Sequence, residues 1–368
     1  SLFARNSVIT GAILYVYKLI ALQPHGKLIT ILKSYIMYIM SQTRLLRRNY
    51  GTRTMLTDNG IPVITFFHAP SDPHSTILLQ ALKVLITKYK IRIRPKIVNP
   101  LRDQDIAGHS TEYTTQWRWG LKDSLAVAKI NNFRPLRSKD AQELNMEDFN
   151  KQAMVYDVAL NAVLERLLQD NPPSLHGLSS DNGVKFLDAA IAVGNILFHR
   201  ASAEDKNYVV PVTNVDENRR YQQIINRNHE ELKSLGHYLP GMLYLKPEFY
   251  WGVDRLFHLE ERLLELNVGR NNNQKPIFIQ NYKLRALTIP NVQKLKVRPP
   301  TNKIVMYYSF RSPYSQLAVD RVYKIGKAWN IEVQTKPVLP MVMRGLRVKP
   351  VKGLYITGGM YIMFLSYP

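Results

Sequence analysis

Residues 63–97 read VITFFHAPSDPHSTILLQALKVLITKYKIRIRPKI, and residues 303–337 read KIVMYYSFRSPYSQLAVDRVYKIGKAWNIEVQTKP. The two stretches align without gaps at an offset of 240 residues, with Ile64 on Ile304, Pro73 on Pro313, Ser75 on Ser315, Ile91 on Ile331 and Lys96 on Lys336. Each copy has one grammar. A short apolar strand leads into a tight turn, a helix opens at proline, and a second strand of alternating character follows. Proline suits the first helical position, because the N–H it lacks would have no intrahelical partner there. The residue before it, Asp72 or Ser312, is a natural N-cap. Two parallel strands joined by one helix predict a right-handed β-α-β unit, so the fold class is α/β.

Outward from the first copy, helical periodicity covers 114–131, 154–168 and 185–198, and strand character returns at 241–246 and 248–251. A last helix is predicted over 254–266. Residues 268–301 follow, with Asn271–Asn273, Pro290 and the pair Pro299-Pro300 and no strong period, which reads as a linker. The domain reading is therefore a basic helical segment at 1–58, a module at 59–267 with a helical insertion at about 104–232, a linker at 268–301, and a truncated second module at 302–368.

Composition narrows the chemistry. The 368 residues contain no cysteine, which excludes a disulfide framework, a thiolate zinc site and Cys-x-x-Cys redox chemistry by this chain. The formal charge of +22 is not spread evenly. Residues 59–267 hold as many acidic as basic side chains, so the excess sits on the flanks and the C-terminal piece. Weak attraction to an anionic surface follows from that distribution, and a solubilising surplus explains it as well. Lys18, Lys27 and Lys33 interrupt the apolar N-terminal stretch, so no secretory signal or membrane span is read and the expected location is the cytoplasm. Residues 28–48 read as an amphipathic helix with a basic end that docks on the protein, the alternative being a membrane surface. The nine histidines fall into no metal-ligand spacing, and no metal is expected.

Three motifs carry a family resemblance. Phe310-Arg311-Ser312-Pro313-Tyr314-Ser315 resembles the strand-to-helix turn of 2-hydroxychromene-2-carboxylate isomerases and kappa-class glutathione transferases. Leu239-Pro240-Gly241, the strand after it, and Trp251-Gly252-Val253-Asp254-Arg255-Leu256 are similar to that family's late segment. Trp119-Gly120-Leu121-Lys122-Asp123 stands where its helical insertion carries such a run. The resemblance covers most of 60–267 and the beginning of a second copy after 302. It implies a thioredoxin-like, DsbA-like sheet with an inserted helical domain, and glutathione as the cofactor for isomerisation or conjugation of a small aromatic or electrophilic substrate. A homodimer or a pairing of the two modules would accompany that reading.

Site residues follow from the same resemblance. Ser312 matches the family's thiol-activating serine, but residues 339–368 carry no second proline loop and no second Asp-Arg turn, so its site is read as incomplete. Asp72 stands at the matching position of the first module, where a carboxylate would repel a thiolate; Ser71 and His74 are the neighbours that could substitute. Pro240 is expected as a cis-proline that exposes the backbone of Leu239 to a peptide-like ligand. Asp254 would take the ligand's ammonium group and Arg255 a carboxylate. Each has a plainer structural role too: N-cap for Asp72, surface helix residue for His74, a trans turn at Pro240, and helix capping with a surface ion pair for Asp254 and Arg255. Trp251 reads as core. The rival to an enzyme is a degenerate, non-catalytic module that binds through a peptide groove or its basic flanks.

Overall fold

The computed structural model describes residues 60–100, 110–136, 146–169, 177–198, 209–237, 239–271, 275–279, 303–309 and 313–338. Residues 1–58, Ser312 and 339–368, on which several of the expectations above rest, lie outside the described residues.

The first repeat forms β1 (Val63–His68), α1 (Pro73–Lys88) and β2 (Arg92–Ile97). Every residue of β1 is buried, whereas β2 alternates between buried and half-buried. Among the described residues four helices stand before the next strand: α2 (Ser110–Asn131), α3 (Met146–Gln169), α4 (Ser180–Phe198) and α5 (Val215–Ser234). The sheet is completed by β3 (Met242–Leu245) and β4 (Glu248–Trp251), and a 3-10 turn (Val253–Arg255) leads into α6 (Leu256–Glu265). Strand order is β2-β1-β3-β4, with β1 parallel to β2 and antiparallel to β3, and β3 antiparallel to β4. The chain is thus α/β with a mixed sheet.

One core cluster runs through these elements. Ile64 and Phe66 of β1, Ile77, Leu78, Leu82 and Leu85 of α1, and Phe186 and Ala190 of α4 are all fully buried. Each large aliphatic or aromatic side chain so placed contributes roughly 1.5–3 kcal/mol against conformational entropy. Among the described residues no helix is long and apolar enough to cross a membrane.

The segment read as a linker adds to this unit. Lys90 donates its N–H to the Val268 carbonyl at 2.7 Å, and Arg270 donates to Lys88 at 3.0 Å. Phe278 and Ile279 are buried, and the carboxyl of Glu260 on α6 accepts the backbone N–H groups of Ile277, Phe278 and Ile279 at 3.0, 2.7 and 3.0 Å. Residues 268–271 and 275–279 of that segment thus pack on the module.

The second repeat forms β5 (Lys303–Tyr308), α7 (Pro313–Trp329) and β6 (Glu332–Pro337). Its parallel register begins at Lys303↔Glu332 where the first begins at Val63↔Arg92, and all six pairs keep the 240-residue offset. The turn hydrogen bond repeats too: Ala69 donates to Ser75 Oγ at 3.3 Å, and Ser309 to Ser315 Oγ at 3.2 Å.

Two buried titratable groups set a pH dependence. Burial pushes the Asp157 carboxyl on α3 up to about 8, and pushes the His68 imidazole down to about 3. His68 costs stability as the pH falls below about 6.5, where the unfolded chain takes up a proton that the native state refuses. Asp157 costs stability as the pH rises from about 4 to 8, where the unfolded chain has lost a proton that the native state keeps. The two oppose each other up to about pH 6.5. Between about pH 6.5 and 8 His68 no longer opposes Asp157, and the Asp157 contribution to unfolding free energy is expected to fall by up to about 1.4 kcal/mol per pH unit. Denaturant titrations of Asp157→Asn over that range should show the slope reduced by that amount; an unchanged slope would refute the assignment.

Candidate functional site

Between β1 and α1 the chain turns through Ala69-Pro70-Ser71-Asp72, and the turn is held by its own polar groups. Asp72 donates its N–H to the Ala69 carbonyl at 3.0 Å, and its extended backbone (φ -89, ψ 120) makes it the N-cap of α1. Its Oδ1 accepts the Ser75 N–H at 2.6 Å. Thr76 Oγ1 donates to the Asp72 and Pro70 carbonyls, at 3.0 and 3.1 Å. Burial raises the Asp72 carboxyl above its ordinary value, opposed by the charge of His74 and by the backbone N–H groups of Ser75 and His74.

Two remote segments close on this turn. Trp117 of α2 donates its indole N–H to the Ser71 carbonyl at 3.0 Å. Further along α2, Asp123 Oδ2 lies 3.5 Å from His74 Nε2. From the other side comes the loop ahead of β3. Gly241 has φ +68, and a Cβ placed on it would stand 3.2 Å from Ser75 Cα and 3.3 Å from Ser75 N. Its own N–H donates to the Phe67 carbonyl at 2.9 Å. Trp251 at the end of β4 donates its indole N–H to the Pro240 carbonyl at 3.2 Å and sets its ring 6.0 Å, centroid to centroid, from His74. The structure therefore brings Ser71, Asp72, His74, Leu239 and Pro240 to one place, with Asp123 and Trp251 beside them.

Several expectations change. The peptide bond ahead of Pro240 is trans; the cis X-Pro bond among the described residues is Lys246–Pro247, in the β3–β4 turn. Here the chain enters β3 through the positive φ of Gly241, a conformation open to glycine at little cost, so no cis bond is needed to reverse it. Leu239 is not left with a free N–H either, since it donates to His237 Nδ1 at 3.4 Å. Trp251 is not core: it is 40% exposed, at the end of the edge strand β4. Asp254 and Arg255 sit on the 3-10 turn packed against α1, with Asp254 exposed. Ser71 is 1% exposed and its Oγ has no hydrogen-bond partner.

His68 was not foreseen from the sequence. Its Nδ1 lies 2.7 Å from Ser75 Oγ, its Nε2 is buried with no partner, and its ring lies 5.2 Å from that of Phe66. A polar residue closing a strand with an apolar run was the available signal, and an unpartnered buried ring nitrogen is costly enough to need a reason. Asp123 was missed because only tertiary packing sets it against His74. Among the described residues no group of His, Asp and Glu side chains could hold a metal ion.

No family model matches the chain, and no curated protein matches it. A solved structure of 2-hydroxychromene-2-carboxylate isomerase, in its selenomethionine form, is similar over 56% of this chain and 96% of its own, at 13% identity and a TM-score of 0.34. At that score the likeness decides nothing about chemistry, which rests on the groups described above.

Proposed function

We propose that residues 60–279 form a thioredoxin-like module of the DsbA-like type, with α2–α5 as its helical insertion, and that residues 303–338 begin a second copy. Its function is binding without catalysis: the groove between the Asp72 turn, Gly241 and Trp251 takes a neutral or cationic peptide segment. The observation that carries this reading is the capping of α1 by Asp72. Activation of a bound thiol at a helix start needs free N–H groups and a neutral or positive surrounding. Here the N–H groups of His74 and Ser75 already serve the Asp72 carboxyl, which is itself an anion when ionised. Asp123 adds a second carboxylate on His74, whose ring neighbours the exposed Trp251. An anionic sulfur is disfavoured there, and a cation over an indole is favoured.

A second reading keeps a glutathione-dependent isomerase or transferase acting on a small aromatic or electrophilic substrate. The pairing of His74 with Asp123 favours it, because a carboxylate-supported imidazole can take a proton from a thiol. Glutathione titrated into the whole chain separates the two. The binding reading expects affinity weaker than ~1 mM and no thiolate absorbance at neutral pH. It also expects that Asp72→Ser, which keeps a capping side chain and so most of the stability, restores a measurable thiolate signal. Thiolate formation or turnover by the unaltered protein would overturn it in favour of the enzyme.

A further inference from the structure

From Trp117 onward α2 divides lengthwise into two faces. Trp117, Leu121, Ser124 and Ala128 are buried, and the Trp117 ring packs against those of Phe149 and Phe198 at centroid distances of 5.1 and 6.2 Å. The opposite face carries Arg118, Trp119, Lys122, Ala126, Lys129 and Ile130, all exposed. At about 100° per residue these six fall within an arc of about 120° and extend for roughly 18 Å along the axis. The arc is sorted by chemistry. Arg118, Lys122 and Lys129 take one edge, and Trp119, Ala126 and Ile130 take the other.

Trp119 is 65% exposed and Ile130 49%, and they share one edge of a helix whose other face is anchored in the core. No acidic side chain is exposed on α2 between Trp117 and Asn131; Asp123, which borders the apolar edge, is half-buried beside His74. A row of cations beside an indole and aliphatic groups is the pattern of a helix lying in a lipid interface. The basic edge sits in the headgroup layer and the apolar edge at the top of the acyl chains. Single-stranded nucleic acid also takes cations and an indole, but Ala126 and Ile130 offer a base no ring to stack on.

We propose that this face of α2 docks on an anionic phospholipid surface, with Trp119 and Ile130 at the acyl boundary and Arg118, Lys122 and Lys129 among the headgroups. The groove at Asp72 uses none of these six residues, so the peptide reading stands or falls separately. The test mixes the full chain with phosphatidylcholine vesicles that contain roughly a third phosphatidylserine and carry bromine on their acyl chains. Bromine should quench the emission of the unaltered protein, which has four tryptophans. Trp119→Phe keeps an apolar ring, so it should bind alike while most of the quenching disappears. Lys122→Gln and Lys129→Gln, both exposed changes, should each weaken binding about fivefold and together about 25-fold. Quenching that survives in Trp119→Phe overturns the proposal, as does an absence of binding at millimolar lipid. Unchanged affinity in the double variant overturns it too, by assigning the attraction to the basic flanks, and so does equal binding to pure phosphatidylcholine. A uridine oligonucleotide that displaces the vesicles and quenches the unaltered protein but not Trp119→Phe would overturn it in favour of single-stranded nucleic acid.

Discussion

Replacing Glu260 by alanine should lower the unfolding free energy by about 3–5 kcal/mol, among the largest single-site effects in the molecule. The side chain is fully buried, and its carboxyl accepts the Tyr89 hydroxyl at 2.8 Å as well as the three N–H groups of residues 277–279. Truncation leaves four donors without an acceptor, and each buried orphan costs about 1–3 kcal/mol unless the structure opens to wet it. The cheapest relief is to release residues 275–279 from α6. The alanine variant should therefore also lose hydrogen-exchange protection at Phe278 and Ile279, while β1 and α1 keep theirs. Glu260→Gln preserves shape and one acceptor and should cost about half as much. If the alanine variant unfolds within about 0.5 kcal/mol of the parent, the segment is held by its apolar contacts alone.

Gly241→Ala should cost about 2–4 kcal/mol, a conformational part added to a steric one. At φ +68 an L side chain is strained by about 1–2 kcal/mol. The rest is steric. The new methyl would meet backbone atoms of Ser75 at 3.2 and 3.3 Å, and that backbone cannot yield without breaking the Asp72 cap. Gly236 provides the comparison, with φ +102 and nothing within 4 Å of the place a Cβ would take, so alanine there meets the backbone cost alone. Denaturant midpoints for both variants, at unchanged slope, give the contact by difference. Equal losses at the two sites would mean that the loop does not press on the start of α1.

Those two residues differ in how visible they are. Gly241 after a proline and before a strand is a local turn signal, and its place near the Asp72 turn could be guessed from the resemblance. Glu260 lies on an amphipathic helix among other acidic residues, and nothing nearby in sequence says that it is buried. Its partners come from Tyr89, 171 residues away, and from a stretch whose composition resembled a linker. The trans bond at Pro240 and the exposure of Trp251 were hidden for a related reason. Both depend on which neighbour supplies the turn or the cover, and the motif alone names neither.

Local order was written in the chain itself. Proline at the first turn and apolar residues at the spacing of strand and helix determine each β-α-β unit, because those forces act within a few residues. The 240-residue repeat then carries the same register twice. Only tertiary packing decided the chemistry: His74 against Asp123, Gly241 against Ser75, and the stranded nitrogen of His68. Burial and long-range contact are properties of where distant segments meet, and a pattern of neighbours along a chain does not encode that meeting residue by residue.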